Sequence, residues 1–292
     1  MMEANGQYEG RIGLAIPTLD AGEGFERLLE QIDGQRCPLA RKLVIDSSSV
    51  DGTAERAAAH GFETLGIPRA EFNHGLTRQQ AVDHLASDVD VLIFLTQDVL
   101  LYDEDSFGNL VAAFQNPAVG AAYGRQLPHE GASFGAALQR QFSYGEKSRV
   151  ITMADKEELG IRAAFLSDAF TAYRITAMRR VGGFPRLNVS EDMYMGAKLL
   201  MDGWSLAYVA GAQVRHSHEF SLRSAWKRYT EIGKFQKQER WIIDTFGKSE
   251  GAGLKLLELQ MRMAWKHGNP LAMLGFLLDD AVKYFAFRWG NR

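Results

Sequence analysis

Short apolar segments alternate with helical segments through the first half of the chain, and this alternation constrains the fold most strongly. The apolar segments have the length and composition of buried strands and lie at 11–16, 42–46, 62–67, 89–96 and 119–123. Helical patterns separate them at 23–32, from 51 onward and at 77–87. Strands that alternate with helices favour a mostly parallel sheet flanked by helices. We therefore predict an α/β fold that binds ligands at the carboxyl ends of its strands.

Polar residues follow several of these strands. Pro17 and Thr18 follow the first strand, and Asp46 ends the second, with Ser48 in the serine run beyond it. A carboxylate there can accept a hydrogen bond from a nucleobase, and small neighbours leave room for the ring. The alternative is a solvated turn. After the fourth strand comes Asp98, which suits Mg²⁺ or Mn²⁺ bridging to a diphosphate, or else is only an acid in a turn.

Two further segments carry residues that suit anion binding and proton transfer. Asn73 and Gly75 lead into a helix that carries Arg78, so backbone N–H groups and a guanidinium could approach a diphosphate. The alternative is an ordinary capped helix. Glu191 and Asp192 open a later helix, where a carboxylate could deprotonate a hydroxyl. Acids at helix starts also occur for stability alone.

His216 and His218 lie two residues apart after a strand predicted to end near Val209. Strand-like alternation would point both side chains to the same face, where either could bind a metal through neutral imidazole. Two histidines are also compatible with ordinary polar roles. Elsewhere in the second half, the pattern predicts a helix over 131–151, a strand over 168–174 and helices beyond Ser221.

Composition and charge constrain the compartment and the partners expected for the protein. Cys37 is the one cysteine, so an intrachain disulfide is impossible and a reducing compartment is expected. The polar first ten residues lack a secretory signal, and no apolar run approaches the roughly 20 residues of a membrane span. From Arg215 onward the sequence holds 14 Lys and Arg against 8 Asp and Glu, whereas the whole chain has a net charge of −3. This basic segment predicts a surface that meets an anion.

Taken in order, several motifs resemble the family 2 glycosyltransferases with the GT-A fold, and among them the bacterial rhamnosyltransferase-like group. The resemblance spans about residues 11 to 240, and many motifs in the right order are specific where each alone is weak. The matching segments are 16–18, 44–48, 51–53, 72–75, 77–78, 94–98, 182–184, 190–192, 216–218, 228–229 and 233.

The resemblance implies an inverting, metal-dependent hexosyl transfer from a nucleotide-diphosphate sugar. Asp192 matches the catalytic base, and Asp98 takes the place of the metal-binding acid, although Thr96 stands where the family's motif has its first Asp. His218, or else His216, would be the late ligand of Mg²⁺ or Mn²⁺. The nucleotide site would be formed by Pro17, Thr18, Asp46, Ser48, Asn73, Gly75, Arg78 and Gln97.

These inferences predict a GT-A domain at 10–220 and a helical C-terminal region at 221–292. The expected donor is dTDP-L-rhamnose, with a UDP-sugar as the alternative. The expected acceptor is a hydroxyl of a glycan or polyprenyl-linked glycan in surface polysaccharide synthesis, and no nucleic acid partner is expected. A nucleotide-sugar-binding protein without turnover and a nucleotidyltransferase are the competing interpretations; the latter normally has a Gly-rich signature near its first strand, which 20–24 match poorly.

The pattern of the C-terminal helices is compatible with two roles. An apolar face with cations beside it would suit peripheral contact with the inner face of the cell membrane of an otherwise cytoplasmic protein. The same face would suit packing on the core or a second subunit in a homo-oligomer. The residues predicted for it are Leu271, Leu274, Phe276, Leu277, Phe285, Phe287 and Trp289, beside Lys283, Arg288 and Arg292.

Overall fold

The computed structural model describes residues 8–247 and 251–292, and its contacts divide the chain into two compact units. The first unit comprises Met1–Gln126, Glu146–Ala154 and Ala164–His216. The second comprises Leu127–Gly145, Asp155–Ala163 and Ser217–Arg292. It therefore includes 127–145, 155–163 and 217–220, three segments of the predicted 10–220 domain that cluster by contact with the C-terminal helices.

The described residues contain a nine-stranded sheet in which β3, β2, β1, β4, β8, β6, β9 and β5 lie side by side and β7 pairs with β9. The strands are β1 (Ile12–Thr18), β2 (Arg41–Asp46), β3 (Glu63–Gly66), β4 (Val91–Leu95), β5 (Leu100–Leu101), β6 (Val119–Leu127), β7 (Arg149–Ile151), β8 (Phe170–Arg174) and β9 (Ser205–Arg215). The predicted parallel arrangement is confirmed for β1 to β4. From β5 onward the pairings seen are antiparallel, so the sheet is mixed.

Helices flank this sheet in the first unit and make up most of the second. The first unit contains α1 (Gly24–Asp33), α2 (Thr53–Ala59), α3 (His74–Leu85), α4 (Ser106–Val111), α7 (Ile175–Val181) and α8 (Glu191–Met201). The second contains α5 (Phe134–Ser143), α6 (Lys156–Leu159), α9 (Leu222–Gln238), α10 (Arg240–Phe246), α11 (Ala252–Lys266) and α12 (Pro270–Gly290). None of the described helices combines the length and apolar character needed to cross a bilayer.

The central strands form the core of the first unit because their side chains are apolar on both faces. All five residues of β4 are fully buried, as expected for a strand covered by helices on both sides. Phe25, Leu28 and Leu29 of α1 pack into the same core as β1 and β4. The polar residues of these strands are thereby confined to the strand ends.

Two sequence-based boundaries in the second half differ from the structure. The helix expected over 131–151 ends at Ser143, and residues 149–151 form β7 instead. Val150 and Ile151 are β-branched and pair with Ala207 and Leu206 at the edge of β9, a tertiary contact that overrides the helical pattern. The strand expected to end near Val209 runs on to Arg215, which brings His216 directly to its end.

Candidate active site

Five strands bring polar residues to one edge of the sheet in the first unit. The parallel strands β1, β2 and β4 all end there. β8 runs antiparallel to β4, with Phe170 opposite Leu95, so the residues that precede β8 lie at the same edge. β6 runs antiparallel to β8 and carries Gln126 toward it. Residues separated by more than a hundred positions in sequence therefore converge.

Asp46 is held firmly at this edge. Its carboxylate accepts a hydrogen bond from Thr18 Oγ1 at 2.9 Å, from Ser49 Oγ at 2.6 Å and from Ser49 N at 2.8 Å. Thr18 and Asp46 are direct neighbours in the β1–β2 ladder, and both are buried. The predicted contact of Asp46 with a nucleobase stays a prediction, but a carboxylate fixed by three donors is a pre-oriented acceptor.

The other residues predicted to line the nucleotide site support backbone turns around Asp46. Ser48 has a left-handed backbone with φ of +62°, and its hydroxyl donates to Ile67 O at 2.9 Å. Gln97 pairs twice with the backbone of Leu19, accepting from its N–H at 2.7 Å and donating to its carbonyl at 3.0 Å. Pro17 is a half-buried residue of β1. Gln97 thus ties the end of β4 to the end of β1.

Asn73 and Gly75 join α3 to the loop that precedes α8. Asn73 caps α3 by accepting from Leu76 N at 3.1 Å, and the same oxygen accepts from Leu187 N at 3.1 Å. A side chain on Gly75 would collide with the carbonyl of Pro185, so only glycine allows this loop to approach. Gly75 was expected to allow the approach of a diphosphate, whereas the structure shows the approach of the protein's own backbone.

Asp98 and His216, two of the predicted metal ligands, lie together in the first unit. His216 Nε2 lies 3.5 Å from Asp98 Oδ2. Gln126 Oε1 lies 2.9 Å from His216 Nδ1, while the amide nitrogen of Gln126 donates to Ser167 Oγ at 2.8 Å. Because an amide oxygen only accepts, Nδ1 carries the proton, and Nε2 is the ring nitrogen that faces the carboxylate. A neutral imidazole nitrogen and a carboxylate oxygen at this separation could both bind one cation, so these residues fit the expected metal.

His218 follows His216 by two residues, beyond the point at which the second unit begins. Its predicted role as a metal ligand therefore stays a prediction.

Arg78 lies in a buried ionic cluster. Its side chain is 4% exposed, and its guanidinium contacts Asp168 Oδ2 at 3.0 Å and Glu191 Oε1 at 2.8 Å. Asp168 also accepts a hydrogen bond from Tyr173 Oη at 2.7 Å. The charge of Arg78 is thus committed to two carboxylates. Its predicted contact with a donor diphosphate stays a prediction.

Asp192 adds a third carboxylate next to this cluster. The residue is half-buried, and its carboxylate accepts from Met193 N at 2.7 Å and from Asp168 N at 3.4 Å. This burial, together with the negative charges of Glu191 and Asp168, raises the pKa of Asp192 to about 8. One arginine cannot balance three acids, so Asp192 holds its proton far more tightly than an exposed aspartate. A carboxyl group with such a pKa is suited to proton transfer near neutral pH.

The profile of the glycosyl transferase family group 2 matches residues 93–287, which is more than half of the chain. The chain belongs to this family. The match includes Asp98, Asp192 and His216, so the family assignment covers the acids and the histidine that the geometry brings to the sheet edge.

This glycosyltransferase is similar along almost its whole length to two O-antigen chain rhamnosyltransferases. It is 38% identical to RfbN of Salmonella typhimurium over 283 residues, which cover 96% of this chain and 90% of the relative. It is 33% identical to WbaN of Salmonella anatum over 280 residues, which cover 95% and 88%. The expected membership of family 2 and the expected enzyme class are thereby confirmed.

The fold of the glycosyltransferase is also similar to that of solved GT-A enzymes. A mannosyltransferase from Pyrobaculum calidifontis, solved with GDP-Man and Mn²⁺, superposes with a TM-score of 0.62 and 18% identity. The superposition covers 94% of this chain and 87% of that one. The predicted GT-A fold with C-terminal helices is confirmed.

Sequence reasoning missed two residues of the site in this glycosyltransferase. Asp168 completes, with Glu191, the cluster around Arg78, and Gln126 orients His216. Asp168 could have been found as a lone acid directly before an apolar strand, the signal that identified Asp98 after β4. Gln126 gives no comparable signal, because one amide at the end of a strand resembles many others.

Proposed function

We propose that this glycosyltransferase moves L-rhamnose from dTDP-L-rhamnose to a hydroxyl group of a growing surface glycan of the O-antigen type. The observation that carries the proposal is the 38% identity over 96% of the chain to an O-antigen chain rhamnosyltransferase. At this level of similarity, extended over the whole catalytic unit, relatives commonly share reaction class and donor type, whereas acceptor and linkage vary more.

In the proposed reaction, Asp192 accepts the proton of the acceptor hydroxyl. The hydroxyl oxygen attacks the anomeric carbon from the side opposite the diphosphate; the new glycosidic bond forms as the bond to the diphosphate breaks, with inversion. The raised pKa of Asp192 makes its ionised form a stronger base than an exposed aspartate. Asp46 would accept the nucleobase N–H, with Thr18 and Ser49 keeping its carboxylate in place.

Asp98, His216 and His218 are proposed to hold the divalent cation, since they offer one carboxylate and two imidazoles. A cation bound there would offset the charge of the departing nucleoside diphosphate. The imidazole ligands favour Mn²⁺ over Mg²⁺, which prefers oxygen ligands and retains water.

The donor is tested by the release of nucleotide from purified protein with Mn²⁺, across dTDP-rhamnose, UDP-glucose, UDP-N-acetylglucosamine and GDP-mannose. The proposal predicts metal-dependent release of dTDP and little release from the other donors. Release of UDP instead would support the transferase activity but would show that the donor is a UDP-sugar. No release and no thermal shift with any nucleotide would contradict the proposed donor site.

The orientation of His216 gives a prediction about metal affinity. Gln126→Met removes the acceptor for Nδ1–H and frees the ring to change tautomer, so the affinity for Mn²⁺ in the presence of dTDP should fall by about 10- to 100-fold. Isothermal titration calorimetry with Mn²⁺ measures this without any turnover. Gln115→Met, a like change elsewhere in the first unit, is the control, and unchanged affinity in both variants would contradict the metal centre.

The raised pKa of Asp192 gives a prediction about pH dependence. Only the ionised carboxylate can accept a proton, so kcat/KM should fall as the pH is lowered through about 8, approaching about tenfold per pH unit. Initial rates from pH 6 to 9 at a fixed Mn²⁺ concentration would show this limb. A flat profile across that range would mean that Asp192 is not the base or that its pKa is not raised.

A further inference from the structure

The outward face of α12 is an apolar stripe. Leu271, Leu274, Leu278, Phe285 and Trp289 recur at intervals of three, four or seven residues, which places them along one side of the helix. Their exposed fractions are 79%, 65%, 54%, 61% and 60% in that order. At about 1.5 Å per helical residue, the stripe from Leu271 to Trp289 extends over roughly 27 Å. An apolar surface of this length facing solvent indicates a binding partner.

The opposite side of α12 is fixed against α9. A side chain on Gly290 would collide with the carbonyl of Thr230, and one on Gly233 would collide with the carbonyl of Phe287. Lys237 Nζ donates to the carbonyl of Arg292 at 2.6 Å. Because the two backbones touch through glycines, α12 cannot rotate to bury its stripe without breaking this crossing.

The structure also revises which residues form the predicted face. Phe276 and Phe287 are half-buried, and Phe276 lies 6.2 Å from the ring of Phe134 within the second unit. Lys283 is paired with Asp279 and lies over the ring of Tyr229. The exposed face therefore consists of the leucines, Phe285 and Trp289, with Arg288 and Arg292 as its cations.

A cavity of about 580 Å³ adjoins this face at the C-terminal end of α12. Its lining combines two exposed arginines, Arg288 and Arg292, with the rings of Tyr284 and Phe287. Guanidinium groups beside aromatic rings suit a phosphate attached to an apolar chain. The α11–α12 segment 252–292 holds six Lys and Arg against three Asp and Glu, a net of +3.

We propose that the outer face of α12 docks on an anionic phospholipid bilayer, with a lipid phosphate bound by Arg288 and Arg292. The apolar stripe enters the boundary between headgroups and acyl chains, and the cations are attracted to the negative surface. Trp289 and Tyr284 belong to the residue types favoured at this boundary. A second copy of the chain is the poorer occupant, since a symmetric contact would bring two like-charged faces together.

The test uses flotation of the full chain with vesicles of phosphatidylethanolamine and phosphatidylglycerol, compared with vesicles of phosphatidylcholine. The wild type should float with the anionic vesicles and be released by high salt. L278S/F285S should need at least tenfold more lipid for half-binding, because each apolar side chain fully withdrawn from water contributes about a factor of ten. R288Q/R292Q should lose the preference for anionic vesicles. M201S, at an exposed apolar position of the first unit, is the matched control.

Three other results would overturn the proposal. Wild-type protein that does not float, or L278S/F285S that floats as well as wild type, would exclude bilayer docking through this face. A wild-type dimer in analytical ultracentrifugation that L278S/F285S converts to a monomer would assign the stripe to a second copy. Binding is measured without donor or acceptor, so its failure is distinguishable from a failure of the proposed transferase reaction. Circular dichroism of each variant checks that α12 remains folded.

Discussion

Asp192→Asn is expected to lower kcat for sugar transfer by about 10²- to 10⁴-fold, the usual contribution of a general base. The amide has nearly the same size but cannot accept the hydroxyl proton. Donor binding should be preserved, because Asp46 and the cation ligands are unchanged. The free energy of unfolding at pH 8 should not fall, since the amide removes a carboxylate whose ionisation is unfavourable at this position.

Two measurements separate catalysis from folding in this variant. Rates of dTDP release in the presence of acceptor give kcat, and calorimetry with dTDP and Mn²⁺ gives the affinity for the nucleotide. Asp202→Asn is the matched control: Asp202 directly follows α8, the helix that Asp192 opens, and is paired with Arg180 and Trp204. A kcat for Asp192→Asn within a few-fold of the control would show that Asp192 is not the general base.

Arg78→Met is expected to lower the free energy of unfolding by about 3–5 kcal/mol at pH 8, the usual cost of removing one partner from a buried ion pair. The side chains of Asp168 and Glu191 are 2% and 7% exposed, so solvent cannot replace the lost guanidinium. The loss should shrink at pH 5. Burial and the nearby charge of Glu191 raise the pKa of Asp168 to about 6 even with Arg78 present, and without Arg78 this pKa rises further, so the folded protein binds the extra proton as the pH falls.

Urea unfolding at the two pH values measures this effect. Arg36→Met is the matched control, because Arg36 also contacts two acids, Glu104 and Asp105, but its side chain is 67% exposed. Exposed pairs of this kind contribute about 0–1 kcal/mol. Equal losses for the two variants would show that burial does not strengthen the Arg78 cluster. A loss for Arg78→Met that does not change with pH would show that the carboxylates are not the groups left unpaired.

The first half of the fold could be predicted because its signals are local. A strand such as β4 is apolar at every position, and strands of this kind separated by helical segments favour parallel pairing. The prediction was least accurate where tertiary contacts decide the structure. Val150 and Ile151 lie in a segment with a helical pattern, yet they form β7 because the edge of β9 is available to pair with them.

The residues of the site also fall into those that a local sequence pattern predicts and those that only tertiary contacts bring together. The sequence alone determined that Asp46 ends a buried strand, that Asp98 follows one, and that Asp192 lies in the first turn of a helix, because each position depends on residues only a few places away. Only the tertiary structure decided that Arg78 is buried between Asp168 and Glu191, and that Gln126 orients His216. These pairs lie 90 or more residues apart. Their contacts depend on the order in which β1, β4, β8, β6 and β9 lie in the sheet, which no local pattern specifies.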